Sequence, residues 1–274
     1  MSQNSVHTLL TLSSGQPDLL HCSSLSTRQD VRSTQGAFDV TSSAKSEWFI
    51  PAGLIVLSFI PVLAGALRLV QLGGGAGITP ENARFFAAPV PFVLHIISVT
   101  IYCVLGAFQF APGLRQRRPD WHRMAGRVVV PCGLGAALTG LWMAQYYPRP
   151  QFDGTLLYAI RLMVGSAMVL FLYLGMAAIW RQDIPAHRPW MMRGYALGLG
   201  AGTQVLTHLP WFLFPSIRGE QTRAVLMGAG WAINLALVEW ILLRERSKVL
   251  RMTLAATPQP GHSQTGGTPC PVKT

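Results

Sequence analysis

Four of the chain's seven histidines stand where an ionisable side chain is costly to place. His95 and His208 each lie about six residues inside a long apolar stretch, and His122 and His187 stand at stretch boundaries beside Trp121 and Trp190. Facing neutral imidazoles at matched depth, with apolar walls, are what a haem b iron with two axial histidines requires. A single intramembrane histidine otherwise serves as a hydrogen-bonding residue of a helix bundle. His187 and His208 are 21 residues apart, about 31 Å of helix, which spans the whole hydrocarbon layer. That separation is long for direct electron transfer between two cofactors, so an interfacial role is expected for His122 and His187.

A second constellation is cationic. Arg115, Arg123, Arg127, Arg188 and Arg193, with neighbouring arginines, gather in two short polar segments. Such a cluster could bind an anion such as a lipid head group or a phosphate-bearing solute, and topology determination accounts for it equally well. Glu239, four residues before Leu243, is placed to pair with one of these arginines. The chain has no HExxH helix, Gly-rich phosphate loop or nucleophile elbow, so hydrolase chemistry has no support. Its four cysteines show no C-x-x-C spacing. Cys103 and Cys132 fall in apolar stretches and read as small hydrophobes, whereas Cys22 and Cys270 fall in polar tails.

The elements that must position these residues follow from composition. Half of the 274 residues are hydrophobic and 12% are charged, a balance that makes lipid part of the solvent. Six windows are long and apolar enough to cross about 30 Å of hydrocarbon, at approximately 49–70, 89–110, 124–145, 155–179, 191–214 and 223–243. The fold class is therefore all-α: a polytopic membrane protein of six transmembrane helices, with both termini cytoplasmic. In that orientation all but six of the 22 Lys and Arg residues fall inside. The exceptions are Arg68, Arg84, Arg149, Arg161, Arg218 and Arg223, and the net charge of +11 follows from the positive-inside rule without nucleic acid as a partner.

Residues 1–46 and 247–274 are polar, rich in Ser, Thr, Gln, Gly and Pro, and read as disordered cytoplasmic tails around a transmembrane domain at 47–246. The start is uncharged and the run Leu9 to Leu12 is short, so no cleaved signal is expected. Small residues recur at helical spacing at Gly194, Gly198 and Gly202, and again at Gly228, Ala232 and Ala236. These stripes are expected to pack helices closely, and a flat cofactor lying against the glycines would leave the same pattern. The segments PDWHRMAGR (119–127) and IPAHRPWMMRG (184–194) share Pro, His-Arg, Met and a later Arg, which suggests two hairpins related as a parallel repeat.

On HI at His95, GAFQF at 106–110, Arg115 with WHRMAGR at 121–127, and AHRPWMMRGYAL at 186–197, the chain resembles a family of bacterial membrane proteins catalogued as domain of unknown function 2306. The likeness covers Phe49 to about Arg246. It implies a multi-helix membrane protein in which His95, His122 and His187 match family positions and His208 does not. The resemblance implies no assigned activity, although the histidine-bearing helices look broadly similar to those of transmembrane cytochromes b.

The leading expectation from sequence is thus a membrane redox protein of the cell membrane, an oxidoreductase or electron-transfer component. It would bind haem b through His95 and His208, with His122 and His187 as an inner pair. The alternative is a transporter or lipid-binding scaffold without a cofactor, whose inner arginines hold an anionic group. Candidate partners are the lipid bilayer, anionic lipid head groups and a second copy in a homo-oligomer.

Overall fold

The computed structural model describes residues 48–75 and 77–256, and among these there is no β-strand. The expected tails at 1–46 and beyond 256, with Cys22 and Cys270, lie outside the described residues. In chain order the α-helices are α1 (Phe49–Gly73), the short α2 (Ala83–Ala87), α3 (Pro89–Gln109), the short α4 (Pro112–Arg117), α5 (Pro119–Tyr146), α6 (Thr155–Trp180), α7 (Ile184–Gly198), α8 (Gly200–Thr207), α9 (Leu209–Leu213) and α10 (Glu220–Ala256). Five of them, α1, α3, α5, α6 and α10, are long and apolar enough to cross a membrane. Their outward surface is apolar, with Phe59, Val70, Val90, Leu138, Met163 and Leu237 all exposed. This is the inside-out pattern that lipid as solvent permits.

The fifth span expected from sequence, 191–214, is not one helix. It is divided at Leu199 and His208 into α7, α8 and α9. Pro210 removes the N–H that would bond the Leu206 carbonyl, which accounts for the second break. At the first, Gly198, Gly200 and Gly202 weaken the helix, and the Gly202 amide bonds the Leu199 carbonyl at 2.9 Å in a tightened turn. Polar side chains compensate by tying α8 and the end of α7 to α10. Thr203 donates to Asn234 Oδ1 at 2.7 Å, Asn234 donates to the Ala196 carbonyl at 3.0 Å, and Gln204 donates to the Met227 carbonyl at 3.0 Å.

The chain's other departure from expectation is at its C-terminal end. The last span was expected to finish at Leu243 and the tail to begin at residue 247, yet α10 continues to Ala256. The added segment is rich in Arg, Glu, Lys, Leu and Met, all strong helix formers, with no Gly or Pro before Pro258.

The helices pack as the small-residue pattern requires. Neighbours in sequence pair, α3 with α5, α5 with α6, α6 with α7, and α10 closes against α6, α7 and α8. At the centre the ring of Tyr102 from α3, 1% exposed, fits between glycines. A Cβ on Gly133 of α5 or on Gly198 of α7 would stand 2.5 Å from that ring, and one on Gly194 would press on Leu172 at 3.0 Å. Gly202 faces the backbone carbonyl of Leu57 in α1, and Gly228 meets Ile160. Protein atoms thus meet Gly194, Gly198, Gly202 and Gly228, which serve helix packing, whereas Ala232 and Ala236 of the second stripe are exposed.

Because the Leu57 carbonyl cannot rotate away, Gly202→Ala must push α1 off α8 and is expected to cost roughly 1–3 kcal/mol. In thermal unfolding of the detergent-solubilised protein its midpoint should fall by several degrees. Gly126→Ala, where a Cβ meets nothing within 4 Å, should unfold like the wild type.

Candidate functional site

The bundle encloses a cavity of about 430 Å³. It opens at the end of the bundle where the connection from α5 to α6 lies and penetrates between α3, α5, α6, α8 and α10. Its lining on α3 stops at Val99, the eleventh of 21 residues, and on α6 at Met168, the fourteenth of 26. It therefore ends near the middle of the helices. Tyr102, Leu172 and Tyr195 close the space beyond, with the Tyr195 hydroxyl donating to the Cys103 carbonyl at 2.7 Å.

The mouth is cationic. Arg84 from α2, Arg149 from the α5–α6 connection, Arg161 from the second turn of α6 and Arg223 from the first turn of α10 line it, together with one carboxylate, Asp153. The connection PRPQFDG is a tight turn in which the Asp153 amide bonds the Pro150 carbonyl at 3.1 Å. Phe152 adopts a left-handed φ of 65°, its ring set 5.4 Å from that of Trp211. This geometry folds Asp153 inward until its side chain is only 2% exposed, with Arg161 at 2.6 Å on one oxygen and Arg223 at 2.6 Å on the other.

Four guanidinium groups against one carboxylate leave a formal +3 among these lining residues (+4 − 1). Arg84 and Arg149 lack a carboxylate partner. Arg149 stacks on the Tyr158 ring at 4.7 Å, and Arg84 stacks on Phe85 at 4.7 Å and donates to the Pro148 carbonyl at 3.3 Å. The Arg84 Nε is buried with no hydrogen-bond partner. Desolvation pushes this guanidinium below its ordinary value, outweighing the upward pull of the Asp153 carboxylate, although an arginine stays protonated through any such shift.

Below the mouth the walls are apolar, with Leu141, Val164, Met168 and Leu197, and two polar side chains stand among them, His95 and Gln204. His95 Nδ1 lies 3.0 Å from the Ala136 carbonyl and 3.1 Å from Thr139 Oγ1. His208 does not line this cavity; its Nδ1 turns to the Gln204 carbonyl of its own helix at 3.0 Å. The outer histidine pair expected from matched depth in sequence therefore does not share a pocket, since the breaks at Leu199 and His208 set the orientation of everything after Gly198. As a two-histidine haem pocket this site does not fit.

His122 and His187 come together at the opposite end. Each is the fourth residue of its helix, α5 from Pro119 and α7 from Ile184, and each HR segment starts a helix as the repeat suggests. His187 and Arg115 lie within electrostatic range of His122. His187 Nδ1 donates to the Gly175 carbonyl at 2.8 Å, while His122 Nδ1 is buried without a partner. Among the described residues no group of three or more His, Cys, Asp or Glu side chains is arranged to hold a metal ion.

At the His122–His187 end, three of the five arginines expected as a cluster face an acid among the described residues. Arg193 holds Glu239 in a two-point pair, with Nη2 to Oε2 at 2.8 Å, as expected for Glu239, and Arg188 grips Glu245 the same way, with Nη2 to Oε1 at 2.9 Å. Arg123 approaches Asp120 at 3.7 Å on an exposed surface. Arg115 and Arg127 complete the expected cluster without a carboxylate partner. The strongly cationic pocket is thus the one at the α5–α6 connection, assembled from residues as far apart in sequence as Arg84 and Arg223. Sequence offered only a partial signal for it: these arginines are among the six exceptions to the positive-inside count.

An all-helical membrane protein with an arginine-lined cavity entering from one end is the class of molecule that this fold and site define. The chain belongs to the family described as predicted membrane protein, domain of unknown function 2306, whose model matches residues 92–242, more than half of the 274 residues. No curated protein and no solved structure matches it.

Removing the one carboxylate among the described lining residues should be costly. Asp153→Ala leaves Arg161 and Arg223 facing each other without a counter-charge, and the expected loss is about 3 kcal/mol. It should appear as a lowered thermal midpoint in low salt that is partly restored as salt is added, whereas an unchanged midpoint would mean that this ion triad is not structural.

Proposed function

We propose that the protein is a six-pass membrane protein with both termini in the cytoplasm, and that its cavity takes up a small amphipathic anion from the outer side, as the binding site of a transporter. The carrying observation is the mouth itself: a formal +3 among the lining residues, with the Nε of Arg84 buried and unpartnered. Arg84 is half-buried, and its unpartnered Nε leaves this guanidinium incompletely compensated. An anionic head group supplies the missing charge, and the apolar walls below accept the rest of the molecule.

Charge distribution supports the same reading. In the proposed orientation, four of the six basic residues that violate the positive-inside rule, Arg84, Arg149, Arg161 and Arg223, are the ones that line the cavity. Topology does not require them there. The α7–α8–α9 segment acts as the fifth crossing, since a broken helix is tolerated in a bilayer where neighbouring side chains satisfy its backbone, as α10 does here. A helix broken beside a cavity near the bilayer midplane is also a recurring feature of transporter binding sites.

Topology is tested with impermeant maleimide on a chain freed of its four cysteines. Ile78→Cys should label in intact cells, and Met252→Cys only after permeabilisation. Binding is tested with radiolabelled decanoate on protein in lipid nanodiscs, against empty nanodiscs. Decanoate should bind at least tenfold more tightly than decanol, and Arg84→Gln should remove most of that difference. Equal binding of decanoate and decanol by the wild type would overturn the anion reading.

The purified protein is expected to be colourless. A stoichiometric reduced haem band that survives His95→Ala but is lost in His122→Ala would instead place a haem at the inner pair.

A further inference from the structure

The hydrogen bonds of His95 determine which of its nitrogens is available. Thr139 Oγ1 donates its only proton to the Gly135 or Ala136 carbonyl, both within its own helix. Both groups around His95 Nδ1, the Ala136 carbonyl and the Thr139 oxygen, can then only accept. Nδ1 must therefore carry the ring proton, and the neutral ring presents Nε2 as a bare acceptor. That ring stands in the cavity wall, and no protein group bonds its Nε2.

Gln204 repeats the arrangement from α8. Its Nε2 donates to the Met227 carbonyl at 3.0 Å, which orients the amide and leaves Oε1 as an acceptor in the same cavity. The pocket thus places guanidinium donors at its mouth and fixed acceptors deeper, on His95 and Gln204, with apolar wall and the indole of Trp231 beside them. Thr139 of α5, beside His95, and Tyr147, the residue that follows α5 at the mouth, are eight residues apart, a rise of about 12 Å.

Resting on the anion reading above, we infer that the ligand is recognised at two points: an anionic head held by the arginines, and a hydrogen-bond donor, a hydroxyl or N–H, about 12 Å away on the same molecule, received by His95 Nε2. The ligand class is then an anionic amphiphile with a polar group at its far end, and a plain alkyl chain would leave both acceptors unpaired. Buried polar groups built to meet a donor discriminate strongly against an analogue that lacks it.

The probes are decanoate, 10-hydroxydecanoate and 10-methoxydecanoate, competed against radiolabelled decanoate on the full-length protein in nanodiscs. The hydroxy acid should bind about tenfold more tightly than decanoate. The methoxy acid, which has the oxygen but no donor, should show no such gain. This comparison needs no variant and so does not depend on any variant folding. His95→Phe should erase the hydroxyl advantage, and His95→Gln, whose amide can bond Ala136 and still offer an oxygen, should restore part of it.

Decanoate binding with no preference for the hydroxy acid, or an equal gain from the methoxy acid, overturns the second recognition point and leaves the anion reading intact. Failure of all three carboxylates to bind overturns both.

Discussion

The arrangement of the bundle depends on one aromatic ring placed among residues without side chains. Tyr102 reaches from α3 to Gly133 on α5 and Gly198 on α7, where an added Cβ would stand 2.5 Å from its ring. In lipid there is no hydrophobic force to hold helices together, so close backbone approach and dense van der Waals contact must do it. The wedge does this for three helices at once. It also sets the floor of the cavity, because Tyr102, Leu172 and Tyr195 fill the space that would otherwise continue through the bundle.

Above and below that plug the charges follow different rules. Towards the termini, Arg188 and Arg193 of α7 are fastened to Glu245 and Glu239 of α10. Each pair brings its own compensation, and together they join the broken fifth segment to the longest helix. At the cavity mouth one carboxylate serves two arginines, and two further arginines rely on stacking and a carbonyl. Surplus positive charge is tolerable at an open mouth, where solvent screens it, and becomes useful where a negatively charged guest replaces that solvent.

The α7–α8–α9 segment connects these two ends. Its breaks would be expensive against hydrocarbon, and they persist because Asn234, Thr203 and Gln204 bond across to α10 and to each other. Gln204 does this with its amide N–H alone, which is why its oxygen remains in the cavity. The same side chain stabilises a discontinuous helix and equips a pocket.

The amino-acid sequence determined the all-helical membrane class, the approximate positions of the crossings and the packing role of the glycines, because those depend on local hydropathy, helix length and spacing. It also pointed to Glu239 as an arginine's partner and to two HR segments as helix starts. Tertiary structure decided the rest. The sequence pattern reads Met191 to Phe214 as one apolar window, since a glycine at Leu199's flanks and a proline at 210 lower helix propensity without saying whether the helix breaks. Once it breaks, depth counted along the sequence no longer predicts orientation, and His208 turns away from the cavity that His95 lines. The arginine mouth is invisible to any local reading because Arg84, Arg149, Arg161 and Arg223 come from four separate parts of the chain. The buried Asp153 carboxylate ties two of them, Arg161 and Arg223, together, and a long-range ion pair of that kind exists only when the bundle has folded.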